Sequence, residues 1–147
     1  MYKNQVTKQN IEDIMALTPI QEGILFHYLK NPEGDEYFEQ LSMTISGELD
    51  QKVFRQAWEL VARCNRILRT TFRWENLQEP VQLVLKNTQV SIEFYQDIDP
   101  EQLKEDDRKI KFNLEEIPFR VKLCQLDNKK YMMVISHHHI LFDGWST

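Results

Sequence analysis

Apolar residues recur at Phe54, Ala57, Trp58, Val61, Cys64 and Leu68, the spacing of one helix face, and Asp50 stands where an N-cap belongs. This pattern predicts a helix over 51–66. An earlier helix start lies in Thr18-Pro19-Ile20-Gln21-Glu22: a threonine N-cap, a proline in the first turn and a carboxylate near the positive end of the helix dipole. It is predicted to run to Lys30, where Asn31-Pro32-Glu33-Gly34-Asp35 ends it. Between these helices, Phe38, Leu41, Met43 and Ile45 alternate with polar neighbours well enough for a strand over 37–46, closed by Gly47. Short strands are predicted at 68–74, 81–86 and 90–95, with Pro80 and Asn87 as punctuation. Asp99-Pro100 opens a helix to 112, and after Pro118 the runs 119–126 and 131–137 flank the turn Asp127-Asn128-Lys129-Lys130 as a hairpin. Helices and strands mix without a strict βαβ rhythm, so the expected class is α+β, a mixed α/β sandwich.

Composition narrows this picture. One hundred and forty-seven residues suit one compact domain, and no repeat or interior linker divides them. A net charge of −5 without a basic cluster argues against nucleic acid as the main ligand. The acidic stretch 97–116, interleaved with Lys104, Arg108, Lys109 and Lys111, reads as a solvated helix face. No apolar run approaches the ~20 residues of a membrane span, and the first ten residues lack the apolar core of a secretory signal, so a cytoplasmic location is expected. Cys64 and Cys124 have no CxxC spacing and read as free thiols. Four glycines without a glycine-rich loop offer no cradle for a nucleotide.

The residues best suited to chemistry come last. Tyr131-Met132-Met133-Val134-Ile135 reads as a buried strand running into His137-His138-His139, followed by Asp143-Gly144 as a turn signal. Alternation would put His137 and His139 on one face and His138 on the other unless the strand breaks first, so all three could not ligate one metal without distortion. On spacing alone, the readings are a functional His–Asp pair, a packed polar cluster or an adventitious metal trap. An imidazole held on a loop suits general-base, proton-shuttle or electrostatic work near neutral pH.

His138-His139-Ile140-Leu141-Phe142-Asp143-Gly144 resembles the HHxxxDG signature of condensation domains from nonribosomal peptide synthetases, and Trp145-Ser146 fits its usual continuation. Two further segments resemble that family's motifs in order: Leu17-Thr18-Pro19-Ile20-Gln21-Glu22-Gly23-Ile24-Leu25-Phe26-His27 its opening motif, and Ile67-Leu68-Arg69-Thr70-Thr71-Phe72 its second. The second departs from pattern just upstream, where Cys64-Asn65-Arg66 replaces the family's Arg-His-Glu or similar. The resemblance runs from about Ile11 to Thr147 and covers roughly the first third of such a domain. It implies the N-terminal half of a chloramphenicol acetyltransferase-like fold over 17–147, with the missing C-terminal half supplying the opposite wall of an active-site tunnel.

The roles implied by the resemblance are specific. His139 borders the reacting groups, the Gly144 amide stands nearby as a donor, and His138 and Asp143 are structural, with Asp143 paired to Arg69. The reaction implied is amide formation between a carrier-bound peptidyl or aminoacyl thioester and a carrier-bound aminoacyl acceptor. Upstream and downstream peptidyl carrier proteins are the partners, and substrates ride on their 4'-phosphopantetheine arms. No cofactor or metal is bound directly, and neither nucleic acid nor membrane is a partner. The first and last motifs look more like the subtype that joins a D-residue donor to an L-residue acceptor. Residues 1–16 resemble an acceptor docking segment for the C-terminal helix of an upstream synthetase, through Ile11, Ile14 and Leu17. Two alternatives remain: a docking fragment without activity, and a coenzyme A-dependent acyltransferase of the same superfamily. The piece alone is expected to be inactive.

Overall fold

In the computed structural model, which describes residues 4–143, two sheets and two of three helices share one main core, and the third helix covers the far face of one sheet. The strands are β1 (Ile11–Ala16), β2 (Phe38–Ser46), β3 (Thr70–Arg73), β4 (Val81–Leu85), β5 (Ser91–Tyr95), β6 (Phe119–Asp127) and β7 (Lys130–His138). The helices are α1 (Pro19–Lys30), α2 (Gln51–Cys64) and α3 (Pro100–Lys109).

Local chemistry explains the helix starts. Thr18 and Gln21 form a reciprocal capping box, with the Thr18 N–H donating to Gln21 Oε1 at 2.9 Å and the Gln21 N–H donating to the Thr18 hydroxyl at 3.3 Å. Asp50 accepts from the Val53 N–H and Asp99 from the Gln102 N–H, both at 2.9 Å. The second helix stops at Cys64, two residues short of the expectation, because the chain tightens into a 3-10 turn over Arg66–Arg69 before entering β3.

The four-stranded sheet has the order β2-β7-β6-β5, and the three-stranded sheet β1-β4-β3. Strand β7 lies antiparallel to β2 from Phe38 opposite His138 to Ser46 opposite Lys130, and antiparallel to β6 across the expected hairpin. Gly47 leaves β2 at φ +125°, where a side chain would be strained, and its N–H donates to the Lys129 carbonyl. Strand β5 joins β6 in parallel, with α3 as the crossover. The two faces of this sheet have different covers. Phe54 and Trp58 of α2 meet Phe94 and Phe119 on one face, whereas Leu103 of α3 packs with Cys124, Met132 and Val134 on the other. Period-two alternation therefore sends Val121, Leu123 and Met133 into the main core and Arg120, Lys122 and Ser136 toward α3.

Two expectations change. Ile11–Ala16, read as part of a docking segment separate from the domain, is a strand hydrogen-bonded to β4. Ile11, Ile14 and Met15 have helix-like spacing, but pairing with β4 overrides it. Leu17 is 6% exposed in the main core; of the three residues assigned to docking, Ile14 is the well-exposed one at 58%. The other change is Asp107, within the acidic stretch read as solvated: its neighbours Asp106 and Arg108 are exposed, but Asp107 is fully buried. No helix among the described residues is long and apolar enough to cross a membrane.

Candidate active site

Strand β7 ends at His138, and that ending separates the three histidines. His137 continues the face of Tyr131, Met133 and Ile135; it is buried, with its ring 4.1 Å from that of Phe142. His138 faces the other way into an aromatic corner, edge-on to Tyr28 at 5.9 Å and beside Tyr37 at 5.8 Å. Its Nδ1 accepts the Ile140 N–H at 3.2 Å, so the ring is neutral and carries its proton on Nε2. His139 lies beyond the ladder. Its N–H donates to the Tyr37 carbonyl at 2.8 Å, the Leu141 N–H donates to the His138 carbonyl at 3.1 Å, and the chain turns. The His139 ring lies parallel to that of Tyr37, 6.5 Å away, and is half-buried.

Of the three, His139 opens on a cleft of about 360 Å³ between α1 and the turn, walled by Ile20, Ile24, Ile67, Leu141 and Phe142, with Thr18 and Gln21 at the helix end. Asp143, also on this cleft, is exposed. Gly144 lies outside the described residues. The pattern therefore brings His139 and Asp143 to one cleft, while His137 and His138 are buried, His137 at the edge of a separate apolar pocket of about 380 Å³ with Trp58 and Phe119. No three His, Cys, Asp or Glu side chains gather as a metal site among the described residues.

Burial, reinforced by the neighbouring imidazoles of His139 and His137, pushes His138 down to about 4 from 6.5. Burial also lowers His137, against a hydrogen bond to the His138 carbonyl. Unfolded His138 gains its proton near pH 6.5 and the folded residue only near 4. In that window the unfolded state binds more protons, so stability falls as pH drops. The loss should approach about 3 kcal/mol for His138. His138→Asn keeps an acceptor for the Ile140 N–H, as in an Asx turn, but removes the titration. Urea midpoints at pH 7 and pH 4.5 should differ less in this variant than in the natural chain; an equal difference would refute the assignment.

Arg69 is buried at 6% exposure. Its Nε donates to the Ala62 carbonyl at 3.0 Å, and Nη1 to Glu12 Oε2 at 2.6 Å and to the Leu85 carbonyl. Among the described ion pairs its carboxylate partner is Glu12 of β1. Glu12 is held below the usual carboxylate range, first by this hydrogen bond from Arg69. The geometry makes Arg69 a tie between β1, the end of α2 and β4. Sequence spacing could not supply Glu12 as its partner, because only the pairing of β1 with β4 brings it there.

Three neighbours of the site escaped sequence reasoning. Tyr37 follows an unremarkable turn, yet it backs both His138 and His139. Gln21 was read only as one residue of a helix start, and neither its capping role nor its bond to the histidine turn was foreseen. Gln82, on β4, carried no signal at all beyond its place in a strand.

The sequence model described as Condensation domain matches residues 11–147. Among curated relatives, tyrocidine synthase 2 of Brevibacillus parabrevis is 37% identical over 149 residues, covering 95% of this chain and 4% of that protein. Surfactin synthase subunit 3 of Bacillus subtilis (strain 168) is 34% identical over 155 residues, covering 97% of this chain and 12% of that protein. The chain thus spans a small fraction of these relatives' length. Among solved structures, a holo four-domain nonribosomal peptide synthetase bound to AMP and glycine superposes with TM-score 0.83 at 22% identity, covering 92% of this chain and 11% of that one. The first condensation domain of the CDA synthetase superposes with TM-score 0.81 at 20% identity, covering 93% of this chain and 37% of that one.

Proposed function

The chain belongs to the condensation-domain family, and on that premise we propose that the His139 cleft is one wall of a site for amide formation between two carrier-bound thioesters. The α-amine of an aminoacyl thioester attacks the carbonyl carbon of a peptidyl or aminoacyl thioester. A C–N bond forms, the C–S bond breaks, the donor carrier's thiolate leaves and the amine loses a proton. The observation that carries this reading is the separation of the histidines: His137 and His138 are buried in packing, and His139 alone of the three lines the cleft.

An α-amino group titrates near ~8, so a useful neutral fraction exists near neutral pH without a dedicated base. The harder step is charge separation in the tetrahedral intermediate. In our reading His139 orients the attacking amine and relays its proton, and the Gly144 amide is a donor to the developing oxyanion. Holding two tethered substrates together supplies much of the rate. The carriers present their substrates on 4'-phosphopantetheine arms, and the rest of the domain supplies the facing wall. The 147-residue chain is inactive alone on this reading. The motif resemblance favours a D-residue donor with an L-residue acceptor.

The test is a condensation assay with the complete domain and two loaded carrier proteins. Amide product is expected with both carriers present and none when free acyl-coenzyme A replaces the donor carrier. Equal product from acyl-coenzyme A would instead favour an acyltransferase of the same superfamily. A complete domain that forms no amide from correctly loaded carriers would sink the proposal.

A further inference from the structure

Two glutamine amides lie buried behind the His139 turn, at one edge of the cleft. Gln21 and Gln82 are each 8% exposed. They face one another as a reciprocal pair: Gln21 Nε2 donates to Gln82 Oε1 at 3.4 Å, and Gln82 Nε2 donates to Gln21 Oε1 at 3.3 Å. Each amide also grips backbone. Gln82 Nε2 donates to the Ala16 carbonyl at 3.0 Å, Gln21 Oε1 accepts the Thr18 N–H at 2.9 Å, and Gln21 Nε2 donates to the Ile140 carbonyl at 3.2 Å. The Thr18 donor and the Ile140 acceptor together fix which end of the Gln21 amide is nitrogen.

We infer that Gln21 is a positioning residue for condensation: its amide, braced by Gln82, clamps the carbonyl next to His139 and so sets that imidazole against the cleft. The inference rests on the function proposed above. The clamp joins three parts of the fold that share no sheet ladder: the end of β1, the cap of α1 and the turn after β7. The His139 N–H is held by the Tyr37 carbonyl on one side, and on the other the Gln21 amide holds the Ile140 carbonyl, two peptide groups further along the turn. With both peptide groups fixed, the imidazole keeps one position as substrates enter. A carboxylate in place of the Gln21 amide would present an acceptor to the Ile140 carbonyl and push the turn away. A methionine would fill similar volume but leave the Thr18 N–H and the Ile140 carbonyl without this partner.

The test uses the complete condensation domain with two loaded carriers, under single-turnover conditions. Gln21→Met should lower the rate ~100-fold, the scale of a small misplacement of a reacting group, with carrier affinity unchanged. Gln82→Met should give a smaller loss in the same direction. Gln21→Glu is the conditional variant. While protonated, its acid can still accept from Thr18 and donate to Ile140; once ionised it cannot donate. Its rate relative to the natural enzyme should therefore fall as pH rises, whereas Gln21→Met should be slow at every pH. If Gln21→Met does not fold, the pH profile of Gln21→Glu decides the question alone. Ring signals of His139 in the NMR spectrum should shift in Gln21→Met more than those of His137, a readout that stands even if the natural enzyme forms no amide. A natural rate and unmoved His139 signals in Gln21→Met would overturn the assignment, as would a loss in Gln21→Glu that is independent of pH.

Discussion

His139→Ala in the complete domain should slow single-turnover amide formation by at least ~100-fold, the lower range for a positioned proton-transfer group. Folding should be nearly untouched. His139 is half-buried outside the β7 ladder, and its side chain contributes the stack on Tyr37 to the described contacts, so a stability change within ~1 kcal/mol is expected. The comparison with His138 makes the experiment diagnostic. His138 sits one residue earlier but is buried among Tyr28 and Tyr37 and accepts the Ile140 N–H. Its replacement should therefore move stability and its pH dependence more than an intact site's chemistry. Condensation by His139→Ala at the natural rate would remove His139 from the mechanism.

The largest effect on stability is expected at Asp107. Its Oδ1 meets Arg120 Nε at 2.7 Å and Lys122 Nζ at 3.1 Å, and its Oδ2 accepts from Ser136 at 2.5 Å and Gln40 at 2.9 Å. All four partners come from strands of the four-stranded sheet, so Asp107 is the polar rivet between α3 and that face. Burial works to raise its carboxyl, but the hydrogen bonds from Arg120 and Ser136 outweigh it and keep the group below the ordinary aspartate range. The cations also lie on rings: Arg120 is 4.2 Å from the Phe112 centroid and Lys122 is 5.6 Å from that of Tyr95. Asp107→Ala leaves two buried cations without their carboxylate and should cost about 3–5 kcal/mol, a large share of the ~5–15 kcal/mol that holds a typical domain folded. The urea midpoint should drop with little change in slope. Adding Lys122→Met should recover part of the loss, because it removes one stranded charge. A midpoint within error of the natural one would show that the cluster is not needed for stability. Stability from Asp107 is present above the unfolded value of 3.8 and lost as pH falls through the lower folded value. It therefore extends the acid sensitivity begun by His138 to lower pH.

Legibility in the sequence followed the range of the forces. The capping residues Thr18, Asp50 and Asp99 act within three positions, and each starts its helix as expected. The hairpin over β6 and β7 was readable because alternation and a polar turn lie side by side in the chain. Helix α3 was read from its start at Asp99-Pro100 but carried to 112, past its end at Lys109, and given a wholly solvated environment. Asp106 and Asp107 are chemically identical, and only the arrival of Arg120, Lys122, Ser136 and Gln40 makes one of them buried. Strand β1 was not read as a strand, because its partner lies some seventy residues later on β4.

The histidine run shows the same division. Its residue types and motif, His138-His139 followed by Asp143-Gly144, were enough to point to condensation chemistry and to single out His139. The sequence by itself thus determined the local elements, the family resemblance and the kind of group at the site. Tertiary structure decided which imidazole meets the cleft, because β7 stops where Phe38 pairs with His138 and the Tyr37 carbonyl captures the next N–H. It also gave Arg69 its partner Glu12 and bound the turn to Gln21. Those choices depend on hydrogen bonds between residues tens to more than a hundred positions apart, whose geometry exists only once both sheets have formed.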